Sequence, residues 1–374
     1  MLSSIQISGY RGFEQFELSG LGRINLLVGE NNGGKTSMLE AIHLLATAGD
    51  PFVLWQTLWR RGERVPSMPH LSVDRAVRRP SNEMDVSHLF RGHEAFPGVG
   101  FRLIANGGVD ERWLECKVTE GRRDPSQLQL FKNGGDSTSG SRLGLEFEGV
   151  PPPPLGFIPL TREGGFYEEA IELPSWRFRM RPNEAAPAQL VTTQSLSGQE
   201  LAGMWNWVAL TPAETLVLKA LQFVDPDIER VAVQGRSGNG SPDADGGFIV
   251  KLKGLDRPVP IGSMGDGMRR MLAMAVAITQ CRGGVLLVDE IDTGLHHGVM
   301  GEMWKLMYQA AHDLDVQVFA TTHSYDCIHS LAKICNGDPL MSVTIQRIER
   351  NKSRPVAYDE SEIQVAAHRG IEVR

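Results

Sequence analysis

The residues best equipped for chemistry are Gly29-Glu30-Asn31-Asn32-Gly33-Gly34-Lys35-Thr36, which fill the pattern GxxxxGK[ST] in full. Glycines let such a loop wrap closely, so that its N–H groups and the start of the following helix face a phosphate. Lys35 is placed to reach the β- and γ-phosphates of a nucleotide, and the Thr36 hydroxyl to sit on Mg²⁺. Asn31, Asn32, Gly33, Gly34, Lys35, Thr36 and Ser37 are therefore the expected nucleotide contacts. A glycine-rich turn with no ligand would leave unexplained why Lys-Thr falls where a helix should begin.

A second group lies far along the chain. Gly284-Val285-Leu286-Leu287-Val288-Asp289-Glu290 reads as a buried apolar strand ending in two acids. Carboxylates beside such a strand are costly unless they bind something. Asp289 suits Mg²⁺, directly or through water, and Glu290 suits polarisation of a water against the γ-phosphate. Further on, the apolar run 316–320 ends in Thr321-Thr322-His323-Ser324. A lone histidine is more often structural, but one at the carboxyl end of a sheet strand can hydrogen-bond a γ-phosphate or its attacking water. The expected catalytic residues are therefore Glu290 and His323, and the expected metal residues Thr36 and Asp289.

Elements must hold these groups. Residues 4–28 read as three short strands, the last (Ile24, Leu26, Leu27, Val28) covered on both faces, and 36–48 as a helix. The stretch 51–100 is rich in Arg and Pro, with helical pieces at best, whereas 101–150 alternates in the antiparallel manner. After an irregular stretch, amphipathic segments cover 197–208 and 212–223, and 237–247 is a Gly/Asp/Ser loop suited to a hairpin tip. The last third alternates again: helix 267–279, strand 285–288, helix 298–312, strand 316–320, helix 325–335, strand 342–348. Such alternation implies a largely parallel sheet, with ligands beyond the carboxyl ends of its strands.

Composition narrows the classes. With 374 residues and 41% hydrophobic, the chain can be one α/β unit bearing a large insertion. No apolar run approaches the roughly 18 residues of a membrane span, and the start lacks a basic-then-apolar leader. Four scattered cysteines, Cys116, Cys281, Cys327 and Cys335, show no metal-ligand spacing, so a cytoplasmic setting is expected. The formal charge of -7 gives no general support for nucleic-acid binding. A local basic groove would have to use Arg60/Arg61/Arg64, Arg75/Arg78/Arg79 or Arg177/Arg179/Arg181, each read first as a solvated face or a contact between subunits.

With these elements in hand, the chain resembles the ABC-type ATPase superfamily of RecF, the SMC proteins and the overcoming-lysogenisation-defect (OLD) nucleases, and within it small stand-alone OLD-like ATPases of the AAA15/AAA21 type. The likeness is good over 1–48 and 255–350 and loose between. Ile5-Gln6-Ile7-Ser8-Gly9-Tyr10-Arg11-Gly12-Phe13 resembles the first strand and "FRgF" turn of that group. Walker A is then Gly29 to Thr36, Walker B ends at Asp289 and Glu290, Asp292 falls in the D-loop, and His323 falls at the switch histidine.

The signature motif corresponds to Gly262-Ser263-Met264-Gly265-Asp266-Gly267-Met268-Arg269-Arg270. Counting back from the helix puts Gly265 at the serine position; taking the serine literally puts Ser263 there. No Q-loop residue is assigned, Gln56 and His88 being the only ones that could be named. The segment from Trp205-Asn206-Trp207 to Ile228 resembles a helical stretch of the small OLD-like ATPases.

The resemblance implies an α/β fold: an ABC-type ATPase head with a mostly parallel P-loop sheet, an antiparallel β lobe and a helical insertion. It implies an N-terminal head portion at 1–50, lobe and insertion at 51–235, a C-terminal head portion at 236–350 and a tail at 351–374. It also implies ATP and Mg²⁺ as cofactors, and a homodimer formed head to tail around two ATP molecules, with Gly265 and Asp292 at the nucleotide. The tail reads as lacking the acids and the strand–helix pattern of a Toprim nuclease domain, so a separate nuclease or other effector encoded nearby is the expected partner, in antiphage defence. A RecF-like DNA-repair or chromosome ATPase is the alternative, with nucleic acid as partner. A transporter ATPase is the weakest of the three, since 101–150 and the imperfect signature suit the RecF-like group better and no membrane partner is implied.

Overall fold

The computed structural model describes residues 1–65, 83–107, 111–121, 142–154, 156–161, 164–167, 186–194, 196, 198–234, 247–335, 342–369, 371 and 373. In chain order, β1 (Ser4–Ser8), β2 (Gln15–Ser19) and β3 (Ile24–Val28) lead into helix α1 (Lys35–Ala46). Then come α2 (Pro51–Arg61), β4 (Glu83–Asp85), β5 (Gly100–Asn106), β6 (Arg112–Gly121) and β7 (Arg142–Val150). Short strands β8 (Phe157–Pro159), β9 (Gly165–Tyr167) and β10 (Ala188–Val191) precede α3 (Gly198–Trp205) and α4 (Pro212–Val224). Next are β11 (Ile228–Val233), β12 (Phe248–Leu252), β13 (Val259–Pro260), α5 (Asp266–Gln280) and β14 (Val285–Val288). The chain continues through α6 (His297–Asp313), β15 (Gln317–Thr321), α7 (Tyr325–Ile334), β16 (Val343–Arg347), β17 (Val356–Tyr358) and α8 (Glu360–Arg369).

Two compact units result. One comprises Met1–Ser3, Leu18–Leu39 and Ala186–Arg374; the other comprises Ser4–Glu17 and Glu40–Ala185.

The first unit is built on a sheet of order β10-β14-β15-β3-β16-β17. The first five strands run parallel, and only edge strand β17 is antiparallel. β3 lies between β15 and β16 with all five residues buried, as a strand covered on both faces must be. Its one polar residue, Asn25, is fully satisfied. The side chain accepts from Gly22 N at 2.8 Å and from Thr344 Oγ1 at 3.0 Å, and donates to the carbonyls of Gly22 and Val318. Gln317 similarly exchanges hydrogen bonds with Leu2, pinning the start of the chain to β15. Helix α5 buries an unbroken run from Arg270 to Ile278, and Trp304 of α6 donates from Nε1 to the Cys327 carbonyl of α7 at 3.1 Å.

In the second unit the antiparallel sheet has order β2-β1-β5-β6-β7-β8, which agrees with the alternation read over 101–150. Arg11, in the turn after β1, is 6% exposed and pairs with Glu63 through both terminal nitrogens (2.6 and 3.1 Å) and with Glu40 at 2.9 Å. Burial without partners would be prohibitive for this cation. Arg61 also pairs with Glu40 (2.7 Å), and Arg64 lies 4.0 Å over the Trp59 ring. Two members of the Arg60/Arg61/Arg64 cluster are thus engaged inside this unit. The Arg75/Arg78/Arg79 and Arg177/Arg179/Arg181 clusters lie outside the described residues.

Three stretches depart from the sequence reading. The segment after Gly49 forms a full helix, α2, because Asp50 caps it by accepting from Phe52 N, Pro51 opens it, and Gly62 closes it with φ 67. β10, inside a stretch read as irregular, adds an edge strand beside β14. The tail is not patternless. It holds β17 and α8, which belong to the first unit, β17 extending its sheet and α8 packing on α7. The proposed hairpin tip lies mostly outside the described residues, but β11 and β12 on either side of it do pair antiparallel.

Candidate functional site

Parallel order brings the carboxyl ends of β3, β14 and β15 side by side, and every catalytic and metal residue expected from sequence leaves one of those ends or starts α1. The loop after β3 turns at Gly29, with φ 134. A Cβ there would lie 2.3 Å from the Ile348 carbonyl oxygen, so only glycine lets the loop begin. Asn31 and Asn32 are exposed, and Asn32 adopts the left-handed region at φ 60. Gly33 N donates to Glu30 O at 3.2 Å, and Gly34 O accepts the first helical bond from Met38 N at 2.9 Å. Ser37 is half-buried in the first turn of α1.

Lys35 is buried and donates from Nζ to the carbonyls of Gly29 (2.9 Å) and Glu30 (2.8 Å), which hold its ammonium against the loop. Burial lowers its pKa, and the nearby carboxylates of Asp289 and Glu290 oppose the shift. Thr36 Oγ1 lies 3.0 and 3.2 Å from the two carboxylate oxygens of Asp289. Asp289 is itself 8% exposed and also accepts from Thr321 Oγ1 at 2.7 Å. This cluster of carboxylate and hydroxyl oxygens suits a hard cation that keeps waters and phosphate oxygens as its other ligands. The described residues contain no group of three or more His, Cys, Asp or Glu that could hold a metal alone.

Glu290 has φ 46, a left-handed conformation that costs a non-glycine residue about 1–3 kcal/mol and persists only where its surroundings hold it. Here they do. Its N–H donates to Thr321 Oγ1 at 2.7 Å, and its carbonyl accepts from Arg270 at 3.1 Å. Thr293 Oγ1 donates to its carboxylate at 3.2 Å, and the next amide, Ile291 N, donates to Thr321 O at 3.0 Å. Thr321 thereby touches both acids at once.

His323 is half-buried beyond β15. Burial first, and the Lys35 cation second, lower its pKa, against the pull of Glu290, Asp292 and Asp289, so the imidazole is neutral at pH 7. Asp292 accepts from Thr322 Oγ1 at 2.6 Å, which ties the loop after β14 to the end of β15. Gly265 (φ 93) is exposed and precedes α5 without a side-chain cap, leaving first-turn amides of that helix to other partners. Ser263 is exposed in the short turn before it. Gln56 lies in α2 and His88 beside Asp85 and His93, both in the second unit.

Arg270 and the bridging of Thr321 were not legible as site features. Arg270 is 2% exposed, and its guanidinium donates to the carbonyls of Thr192, Asp289 and Glu290. The available signal was an arginine directly before the apolar run 271–278.

The chain resembles known proteins at the level of family, sequence and fold. Residues 1–87 match a family model described as "AAA ATPase domain", and 215–326 match one described as "AAA domain, putative AbiEii toxin, Type IV TA system". An "ATP/GTP phosphatase" of Helicobacter pylori is 21% identical over 349 residues, covering 89% of this chain and 88% of that one. The "DNA replication and repair protein RecF" of Bacillus thuringiensis is 47% identical over only 47 residues, or 13% of this chain and 12% of that protein. Among solved structures, the Smc head domain of Pyrococcus furiosus, bound there to the C-terminal domain of ScpA, covers 99% of both chains at 10% identity and a TM-score of 0.50, a likeness of fold. Two segments of the chain thus match ATPase-domain family models, and its fold is like that of an Smc head. No helix among the described residues is long and apolar enough to cross a membrane.

Proposed function

We propose that the chain binds Mg·ATP at the loop from Asn31 to Ser37 and hydrolyses it, and that two copies close head to tail around two nucleotides to switch a separate effector protein. The observation that carries the catalytic part is the 3.0 Å contact of Thr36 Oγ1, at the start of α1, with Asp289, at the tip of β14. Thr36 and Asp289 would hold Mg²⁺, which neutralises phosphate charge when bound. Lys35 supplies a fixed cation to the β- and γ-phosphates, and the loop amides supply donors that need little reorganisation.

Glu290 orients a water for in-line attack on the γ-phosphorus. The new P–O bond forms as the bond to the β,γ-bridging oxygen breaks, and the water proton passes toward the carboxylate. His323, neutral at pH 7, holds that water or a γ-oxygen. Gly265 and the uncapped start of α5 reach the γ-phosphate of the other subunit, with Asp292 at the same junction.

The effector reading draws on the type IV toxin–antitoxin description of the model matching 215–326, and its expected partner is a nuclease in antiphage defence. The short RecF match favours the second reading, a DNA-binding repair or chromosome ATPase. Native mass spectrometry on material expressed with its genomic neighbours, with and without ATP, separates them. A copurifying effector and DNA-independent turnover support the first reading. DNA-stimulated turnover with salt-dependent binding supports the second.

A further inference from the structure

We infer that Arg270 is a positioning residue for Glu290, coupling the start of α5 to the water-orienting carboxylate within one subunit. This rests on the proposed role of Glu290. Arg270 sits in the first turns of α5 and is 2% exposed. Among the described residues its hydrogen bonds go to carbonyl oxygens. One terminal nitrogen donates to Thr192 O, just past β10, and the other to Asp289 O and to Glu290 O at 3.1 Å. Desolvation lowers its pKa, opposed by Asp289, Asp292 and Glu290. A buried cation used on backbone oxygens contributes geometry, because the planar guanidinium fixes several acceptors at once where an ammonium would act as a point charge.

The peptide it grips is the unusual one. Glu290 stands at φ 46, with its amide held by Thr321 on one side and its carbonyl by Arg270 on the other. The same end of α5 also meets the far end of that loop. A Cβ on Gly267 would lie 2.6 Å from the Gly294 carbonyl oxygen, so helix and loop are in close contact there. The first turn of α5 therefore bears on both Glu290 and Gly294, and a shift at Gly265 has a direct route to the Glu290 backbone. Whatever engages Gly265 is felt by Glu290 in the same chain.

The test measures ATP affinity, thermal midpoint and single-turnover hydrolysis in Arg270→Lys and Arg270→Met, each alone and combined with Glu290→Gln. Misplacing a reacting group by about 1 Å costs on the order of 10²-fold. Arg270→Lys should accordingly bind ATP within about 3-fold of wild type and lose roughly 10- to 100-fold in rate. In the Glu290→Gln background the same change should cost less than about 3-fold, because residues acting as a unit are not additive. Arg270→Met provides the same comparison if the lysine variant does not fold. A wild-type rate in a folded, ATP-binding variant overturns the inference, as does a loss that multiplies in full onto Glu290→Gln. So does failure of both variants to fold, which would make Arg270 a stability residue. A wild-type rate in Glu290→Gln alone removes the assignment of Glu290 itself, and is read without any change at Arg270.

Discussion

Thr36 Oγ1 and Asp289 Oδ2 lie 3.0 Å apart although 253 positions separate them in the chain. The contact exists because β15 pairs with both β3 and β14, so the loop after one strand and the tip of the other open on the same edge of the sheet. A cation site shared between a phosphate loop and an acidic strand tip needs this adjacency.

Lys35→Ala should largely abolish ATP binding while leaving the fold intact. The ammonium is held by two carbonyls, and its loss removes the one cation the loop supplies. Calorimetric titration with ATP, alongside circular dichroism, is the check. Equal affinity in mutant and wild type would sink the assignment of this loop.

Thr321→Val should lower folding stability by about 1–3 kcal/mol, because the hydroxyl is fully buried and serves Asp289 and the Glu290 amide together. Thr321→Ser keeps the oxygen and should be milder. Urea denaturation of the two variants decides it, and equal midpoints for valine and threonine would mean the bridge is idle.

Much of this site was visible before the fold. The Gly29–Thr36 run and the apolar strand ending at Asp289 are legible because phosphate wrapping and a buried strand with an acidic tip each restrict residue types over several consecutive positions. β10 was hidden because its four residues, Ala188-Gln189-Leu190-Val191, are too few to show a period. β17 is shorter still. Arg270 was hidden for another reason. Its partners are backbone carbonyls, which every residue type supplies, so no second motif marks the interaction.

His323 sets the expected pH behaviour. Its pKa is lowered, first by burial and then by Lys35, so the neutral ring persists to more acid pH than an ordinary histidine. The neutral form is the one that accepts a hydrogen from water. Turnover should therefore hold as pH falls through the ordinary imidazole range and decline only on its acid side. His323→Asn should abolish that limb along with part of the rate. Single-turnover rates across pH test this, and a wild-type limb above the ordinary value for histidine would contradict it.

If the start of α5 must reach the nucleotide of a second subunit, turnover per subunit should rise more than linearly with concentration over the range where dimers form. Rates measured beside sedimentation velocity in Mg·ATP settle it. Full-rate hydrolysis by a demonstrable monomer refutes the sandwich.

Asp289 is proposed to act through the metal and Glu290 through the water, a division that single-turnover hydrolysis of Glu290→Gln, with ATP binding measured on the same sample, puts to the test. The substitution keeps size and hydrogen bonding but removes the charge that activates water. Mg·ATP should still bind and hold the dimer closed, while turnover drops by roughly 10²- to 10⁴-fold. Asp289→Asn should instead weaken Mg·ATP binding itself. Near wild-type hydrolysis in Glu290→Gln, or loss of nucleotide binding in that variant, would contradict the division of labour between the two acids.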